Sequence, residues 1–162
     1  MFTPKCRALF LFLFLPLIPL PAQGGSSPNE GLTIGETDPA AFVGLTLDDL
    51  FRHFGVPESV YAVRGREEWQ DDVVFVYGHG DFYIFKDRVW QAGLMEARGI
   101  KIGDSRGVVS LILGAGPVNS GVEIRGDSVL YSLNDGAWPL MLRFDFDSAA
   151  RVKAIFIYRT DF

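Results

Sequence analysis

Two histidines and a few paired carboxylates are the groups of this 162-residue chain that could perform acid–base or metal chemistry. His79 lies in the segment Gly78-His79-Gly80-Asp81, two positions before a carboxylate. Because histidine titrates near neutral pH and binds metals, this pair could form a metal-dependent or acid/base site. Glycine and aspartate also favour tight turns, so the same residues could be a hairpin connection alone. Both interpretations remain open from the sequence.

The other carboxylates give weaker signals. Asp145 and Asp147 would lie on one face of a strand and, with Asp135, could bind calcium. They lack the spacing of an EF-hand loop, so turn formation is the preferred interpretation. No serine lies in a G-x-S-x-G segment, and the glycines of residues 114–116 end a predicted helix instead of beginning one. The preferred interpretation is therefore a protein that is not an enzyme and has no cofactor.

A short helix is predicted over residues 46–54. Thr46 and Asp49 have the spacing of a capping box, and Gly55 and Pro57 are typical of a helix C-terminus. Apolar residues recur at helical spacing along one face, at Leu47, Leu50, Phe51 and Phe54. A helix of this length is not stable alone, so we expect a sheet to cover its apolar side.

The same signature recurs in the second half of the chain. The residues that match Gly44, Thr46, Leu50, Phe54 and Gly55 are Gly103, Ser105, Val109, Leu113 and Gly114. Each predicted helix precedes short apolar stretches separated by turn residues, at 59–63, 73–77, 82–85 and 89–94, then at 118–125, 128–133, 140–146 and 152–159. The sequence thus predicts an α+β fold in which two tandem helix-plus-antiparallel-meander repeats, 38–97 and 98–162, form one sheet with both helices packed on one face.

The N-terminus has the features of a secretory signal peptide over residues 1–24. Lys5 and Arg7 precede an apolar run at 8–20, and Ala22 and Gly24 suit a cleavage site. A retained membrane anchor is the alternative, but the run is shorter than the roughly 20 residues of a spanning helix. We therefore expect an exported protein, periplasmic or secreted, with residues 25–37 as a flexible lead-in and no stable membrane anchor after cleavage.

The charge and the cysteine content limit the chemistry and the classes of partner that the sequence predicts. The single cysteine, Cys6, precedes the apolar run, so the mature chain has no thiol for a disulfide, a catalytic nucleophile or a lipid anchor. The formal net charge is −5, and the basic residues are scattered, which argues against nucleic acid as a partner.

The repeated phrase resembles two related groups of proteins. Glycine, Thr or Ser, two apolar residues and a terminal glycine followed by proline occur at Gly44–Pro57 and again at Gly103–Pro117, where one extra residue precedes the proline; hairpins follow each copy. This pattern is similar to the SmpA/OmlA outer-membrane assembly lipoproteins and to the β-lactamase inhibitor protein fold. The resemblance implies a non-enzymatic envelope or secreted module that binds other proteins by its sheet.

The predicted binding surface lies on the side of the sheet away from the helices. Leu140, Leu142, Phe144 and Phe146 alternate and are expected to face the helices. Alternation along each strand, with Phe85 aligned to Phe146, then turns six apolar residues and Arg143 outward, with Trp90 as the anchor and Arg143 at the rim: Phe82, Ile84, Trp90, Met141, Arg143, Ile155 and Ile157.

Two other interpretations of this apolar set remain. A register displaced by one residue would move every one of these side chains to the other face, and the loop at 64–72 could cover them. If neither holds, the face is expected to bind a partner protein of the envelope or a second copy, the latter giving a homo-oligomeric structural protein.

Overall fold

The computed structural model describes residues 32–33, 36–66, 71–114, 121–133 and 137–161. The predicted signal peptide, most of the lead-in and Asp135 lie outside these residues. Two α-helices, α1 (Leu47–Phe54) and α2 (Arg106–Leu113), follow a short 3-10 turn at Pro39–Phe42. The strands are β1 (Ser59–Val63), β2 (Asp72–Tyr77), β3 (Gly80–Phe85), β4 (Arg88–Leu94), β5 (Glu96–Ala97), β6 (Ile100–Lys101), β7 (Val122–Arg125), β8 (Ser128–Leu133), β9 (Leu140–Phe146) and β10 (Val152–Arg159).

Eight of the strands form one antiparallel sheet. Its order is β1-β2-β3-β4-β10-β9-β8-β7, so the two halves of the chain meet where β4 pairs with β10. β5 and β6 form a separate two-stranded ribbon. Within the described ranges, no helix is long and apolar enough to cross a membrane.

The predicted α+β fold, with helices packed on a sheet in two repeats, is wrong. The described residues form a mainly antiparallel β structure with one large eight-stranded sheet and two eight-residue helices. The physical reason is helix length. Each helix fully buries only one residue, Leu50 in α1 and Val109 in α2, whereas the strands provide most of the buried core. The proposed domain boundaries at 38–97 and 98–162 stay predictions.

The predicted helix signals are present in the structure. Thr46 and Asp49 form a capping box in which Asp49 Oδ2 accepts the Thr46 N–H at 3.0 Å and Thr46 Oγ1 accepts the Asp49 N–H at 3.2 Å. Ser105 caps α2 by accepting the Val108 N–H at 3.4 Å.

The segment before each helix is attached to a strand by the same pair of hydrogen bonds. The Gly44 N–H donates to the Val89 carbonyl, and Arg88 donates to the Gly44 carbonyl at 2.9 Å. The Gly103 N–H donates to Val152, and Arg151 donates to Gly103, also at 2.9 Å. These bonds hold both helix N-termini against the central strands.

An aromatic cluster joins α1 to the sheet. The ring of Phe82 lies 5.2 Å from Phe54, 5.7 Å from Tyr77 and 6.0 Å from Phe42, measured between ring centroids. Aromatic pairs at these separations add stabilisation beyond the burial of their area. Phe82 is fully buried, so β3 turns this side chain toward the helix.

Four residues of the predicted binding surface are therefore in the core. Phe82, Ile84, Ile155 and Ile157 are at most 8% exposed, so the prediction that they face outward is wrong. In β10 the cause is a β-bulge: Val152 pairs with Phe146 and Ala154 pairs with Asp145, which leaves Lys153 as an extra residue. The extra residue reverses the alternation that follows it, and Ile155 returns to the buried face.

A one-residue misalignment explains the error in β3. Ile84 pairs with Val89 just as Phe146 pairs with Val152, so Ile84, and not Phe85, occupies the position of Phe146. A bulge between β3 and β4 leaves Trp90 as the extra residue there. The alternative of a register displaced by one residue is thus correct for β3 and for β10 after its bulge.

The two glycines after the helices provide a stability test. Gly114 has the predicted left-handed conformation (φ 64°, ψ 43°), whereas Gly55 has φ 75° with ψ −148°, a region that is essentially restricted to glycine. Apart from the neighbours in the chain, no atom of the described residues lies within 4 Å of a Cβ added at either position, so a substitution changes mainly the backbone energy. We expect Gly55→Val to lower the free energy of unfolding by about 1–3 kcal/mol and Gly114→Val by about 1–2 kcal/mol, measured by urea denaturation. Unchanged stability in both variants would contradict this account of the helix C-termini.

Candidate functional site

The side of the sheet opposite the helices, called here the open face, carries aromatic side chains on several adjacent strands. Strand pairing places six residues in one row across β1, β2, β3, β4, β10 and β9: Tyr61, Val74, Tyr83, Gln91, Tyr158 and Met141. A parallel row across β3, β4, β10, β9 and β8 contains Asp81, Gly93, Phe156, Arg143 and Leu130. Directly opposed side chains in such rows contact one another.

Three residues of the predicted surface lie on this face. Trp90, Met141 and Arg143 point away from the helices, as predicted, and all three are partly exposed. Their role in binding stays a prediction. Tyr83, Phe156 and Tyr158 were missed because strict alternation was assumed along β3 and β10, whose pairing contains bulges. Tyr61 was not assigned to either face of the sheet. A weak signal existed in β10, where counting by twos places the large Ile155 and Ile157 outward and the small Ala154 inward.

Trp90 is held in place by a carboxylate. Its indole Nε1 donates to Asp72 Oδ1 at 3.0 Å across the intervening strand β3. Burial raises the pKa of Asp72, the Trp90 hydrogen bond opposes this change, and neighbouring Asp71 adds to it. Burial likewise raises the pKa of Tyr83. The hydrogen bond thus orients the partly exposed indole on the open face.

Arg143 forms a compact ion pair with Asp145. Its Nε and NH2 donate to the two carboxylate oxygens at 2.7 and 2.6 Å, and Ser128 Oγ donates to Oδ1 at 2.5 Å. Burial alone would raise the pKa of Asp145, but these hydrogen bonds outweigh it and hold the pKa below its usual value. The guanidinium also lies 5.6 Å from the Phe156 ring centroid, a cation–π distance.

The structure does not bring His79 and Asp81 into one site. The His79 ring lies 5.6 Å from the Phe54 ring and 6.4 Å from the Tyr77 ring, on the helix side. Asp81 is on the open face, where its Cβ and the Phe156 ring flank Gly93. Across the part of the chain that the structure describes, no group of three or more His, Cys, Asp or Glu could hold a metal.

The two suggested calcium ligands that the structure describes, Asp145 and Asp147, have other roles. Asp145 is bound by Arg143 and Ser128, and Asp147 Oδ1 accepts the backbone N–H groups of Ala149 and Arg151 at 2.9 Å. The turn interpretation of Asp147 is therefore confirmed.

A cavity of about 280 Å³ lies beside the β4–β10 seam. Asp81, Gly93 and Phe156 line it on the open face, Met95 lies at one side, and Lys153 at another. Burial raises the pKa of Asp81. We call this space the seam cavity.

Comparison with known proteins gives a fold likeness and no family. No family model and no curated protein matches the sequence. An extracellular protein containing an SCP domain from Bacillus anthracis is similar in structure, with a TM-score of 0.50 and 13% identity over 85% of this chain and 50% of that protein. The chain thus spans about half the length of that protein, and the likeness concerns the fold alone.

Two further solved structures are more distant in TM-score. A DUF4309 family protein from Bacillus subtilis has a TM-score of 0.45 and 20% identity, covering 81% of this chain and 84% of that one. A cysteine-rich secretory protein from Staphylococcus aureus has a TM-score of 0.48 and 11% identity, covering 81% of this chain and 48% of that one.

Proposed function

We propose that this protein is an exported, non-enzymatic binding module that docks a partner protein on its open face, in the periplasm or outside the cell. One observation carries the proposal: aromatic side chains line adjacent strands of a face that no helix covers, within the described residues. An antiparallel sheet with one solvated face normally alternates apolar with polar residues. This face instead carries tyrosine and tryptophan, which are enriched in protein interfaces.

The arrangement suits docking because its anchors are already oriented. Trp90 is held by Asp72, and Arg143 is held by Asp145. Binding therefore costs less side-chain conformational entropy than it would with freely rotating side chains. The resemblance noted from the sequence implies the same use of a sheet. The apolar run at residues 8–20 of the sequence supports export.

The test is capture of a partner from an extract of the source cell envelope by wild type and two variants. We expect Trp90→Ala to reduce capture at least about tenfold, since buried tryptophans dominate interface energies. The matched control is Leu111→Ala, which removes an 81% exposed apolar side chain from α2 on the opposite side. Thermal unfolding checks that both variants fold.

Equal capture by wild type and Trp90→Ala would overturn the proposal. Light scattering during size-exclusion chromatography measures the oligomeric state and so distinguishes a partner protein from self-association. If wild type is an oligomer and Trp90→Ala a monomer, the open face binds a second copy, and the homo-oligomeric interpretation replaces the partner protein.

A further inference from the structure

The seam cavity has one charged group on its open-face wall that the fold leaves unsatisfied. Within the described part of the chain, the Asp81 carboxylate has no hydrogen bond and no ion pair. The other open-face aspartates differ in this respect, because Asp72 accepts from Trp90 and Asp145 accepts from Arg143. A partly buried carboxylate without a partner favours a cation beside it.

The surroundings of Asp81 suit an aliphatic stem that ends in a positive charge. Gly93 lies between Asp81 and Phe156, and a Cβ there would stand 3.5 Å from the Phe156 ring and 3.8 Å from the Asp81 Cβ. The missing side chain therefore leaves a slot between an aromatic ring and a carboxylate. Leu94 and Met95 add apolar wall. Long basic side chains bury their stems against apolar surface and hold the charge at a polar tip.

The size of the cavity and the charge of the chain agree with such an occupant. About 280 Å³ is at the low end of the range for small-molecule sites, so it suits one side chain better than a cofactor. The formal net charge is −5, which favours a basic partner. A metal ion is a poor fit, because Asp81 is the one His, Cys, Asp or Glu among the described residues that line the cavity.

We propose that the seam cavity binds one lysine or arginine side chain of the protein docked on the open face, with Asp81 as the anionic partner and Phe156 against the stem. The proposal rests on the proposed function and adds the chemistry of the partner. Lys153 lies at the same cavity, so its charge opposes binding and sets a limit on affinity.

The experiment is an NMR titration of the ¹⁵N-labelled protein with Nα-acetyl-lysine methylamide and Nα-acetyl-arginine methylamide. The neutral analogue Nα-acetyl-norleucine methylamide is the ligand control. We expect the basic probes, and not the neutral one, to shift the amide signals of Asp81, Gly93 and Phe156. Asp81→Asn should raise the Kd about tenfold, because it removes one charge-assisted contact.

Two further variants make the outcome specific. Asp127→Asn makes the same change of charge at an exposed turn and should leave the Kd unchanged. Lys153→Gln should lower the Kd, since it removes the opposing charge. Equal shifts from basic and neutral probes, or equal weakening by Asp81→Asn and Asp127→Asn, would overturn the proposal.

The two proposals fail in different ways. If partner capture depends on Trp90 while Asp81→Asn does not change probe binding, the basic-side-chain site is wrong and the docking face stands. If the probes bind at Asp81 while capture does not depend on Trp90, the docking face is wrong and the cavity is a site of another kind.

Discussion

Phe82→Ala is expected to lower the free energy of unfolding by about 3–5 kcal/mol, the usual cost of removing a phenyl ring from a packed core. Phe82 is fully buried and contacts three rings, those of Phe42, Phe54 and Tyr77. Two of these rings belong to the 3-10 turn and to α1, so the cavity left by the substitution would also loosen the helix. Urea denaturation followed by circular dichroism measures the change.

The matched control is Phe85→Ala, on the same strand but on the open face. Phe85 is partly exposed, with the Lys86 ammonium 5.1 Å from its ring centroid. We expect a loss of about 1 kcal/mol, because removing a partly hydrated side chain leaves no closed cavity. Losses of equal size, or a larger loss for Phe85→Ala, would show that the side chains of β3 face the opposite way.

Asp145→Asn is expected to lower the free energy of unfolding by about 2 kcal/mol at neutral pH. The substitution removes the charge that two Arg143 nitrogens and the Ser128 hydroxyl contact, and hydrogen bonds to charged groups are each worth about 1.5–3 kcal/mol. The Arg143 side chain is 42% exposed, so water can solvate it after the change and keeps the loss below that of a fully buried pair.

The same variant tests the pH dependence. Because the pKa of Asp145 lies below its usual value in the folded protein, the folded state binds this proton less tightly than the unfolded state. The stabilisation is therefore fully present above the unfolded pKa of about 3.9 and is lost as the pH falls through the lower folded value. Denaturation curves between pH 3 and 7 should show the wild type and Asp145→Asn converging in acid. A difference that does not change with pH would contradict the ion pair, and Asp127→Asn again serves as the control for charge.

The helices were predicted well from the sequence, because capping residues and C-terminal glycines act on residues that are close in the sequence. The Thr46–Asp49 capping box and the left-handed Gly114 follow from short-range hydrogen bonding and backbone sterics. The strands at 59–63, 128–133, 140–146 and 152–159 were also predicted with the bounds that the structure has. The conformation of Gly55 was only partly predicted, since its ψ depends on how the chain continues toward β1.

The face of the sheet on which each side chain lies could not be predicted as well, because it depends on pairing between residues that are distant in the sequence. The extra residues Trp90 and Lys153 exist only relative to the partner strands β3 and β9. Counting by twos along β10 therefore placed Ile155 on the wrong side. The seam cavity was not predicted either, since Asp81 and Phe156 meet only when the two halves of the chain pair.

The two edges of the large sheet differ in a way that bears on handling the protein. β7 carries the Glu123–Arg125 ion pair, and charged side chains at an edge oppose the addition of another strand. All five residues of β1 are exposed and none is charged, so this edge has no such protection. In a concentrated solution, chains are thus expected to add to one another by way of β1, which makes Val60→Lys a simple change for keeping the protein soluble during purification.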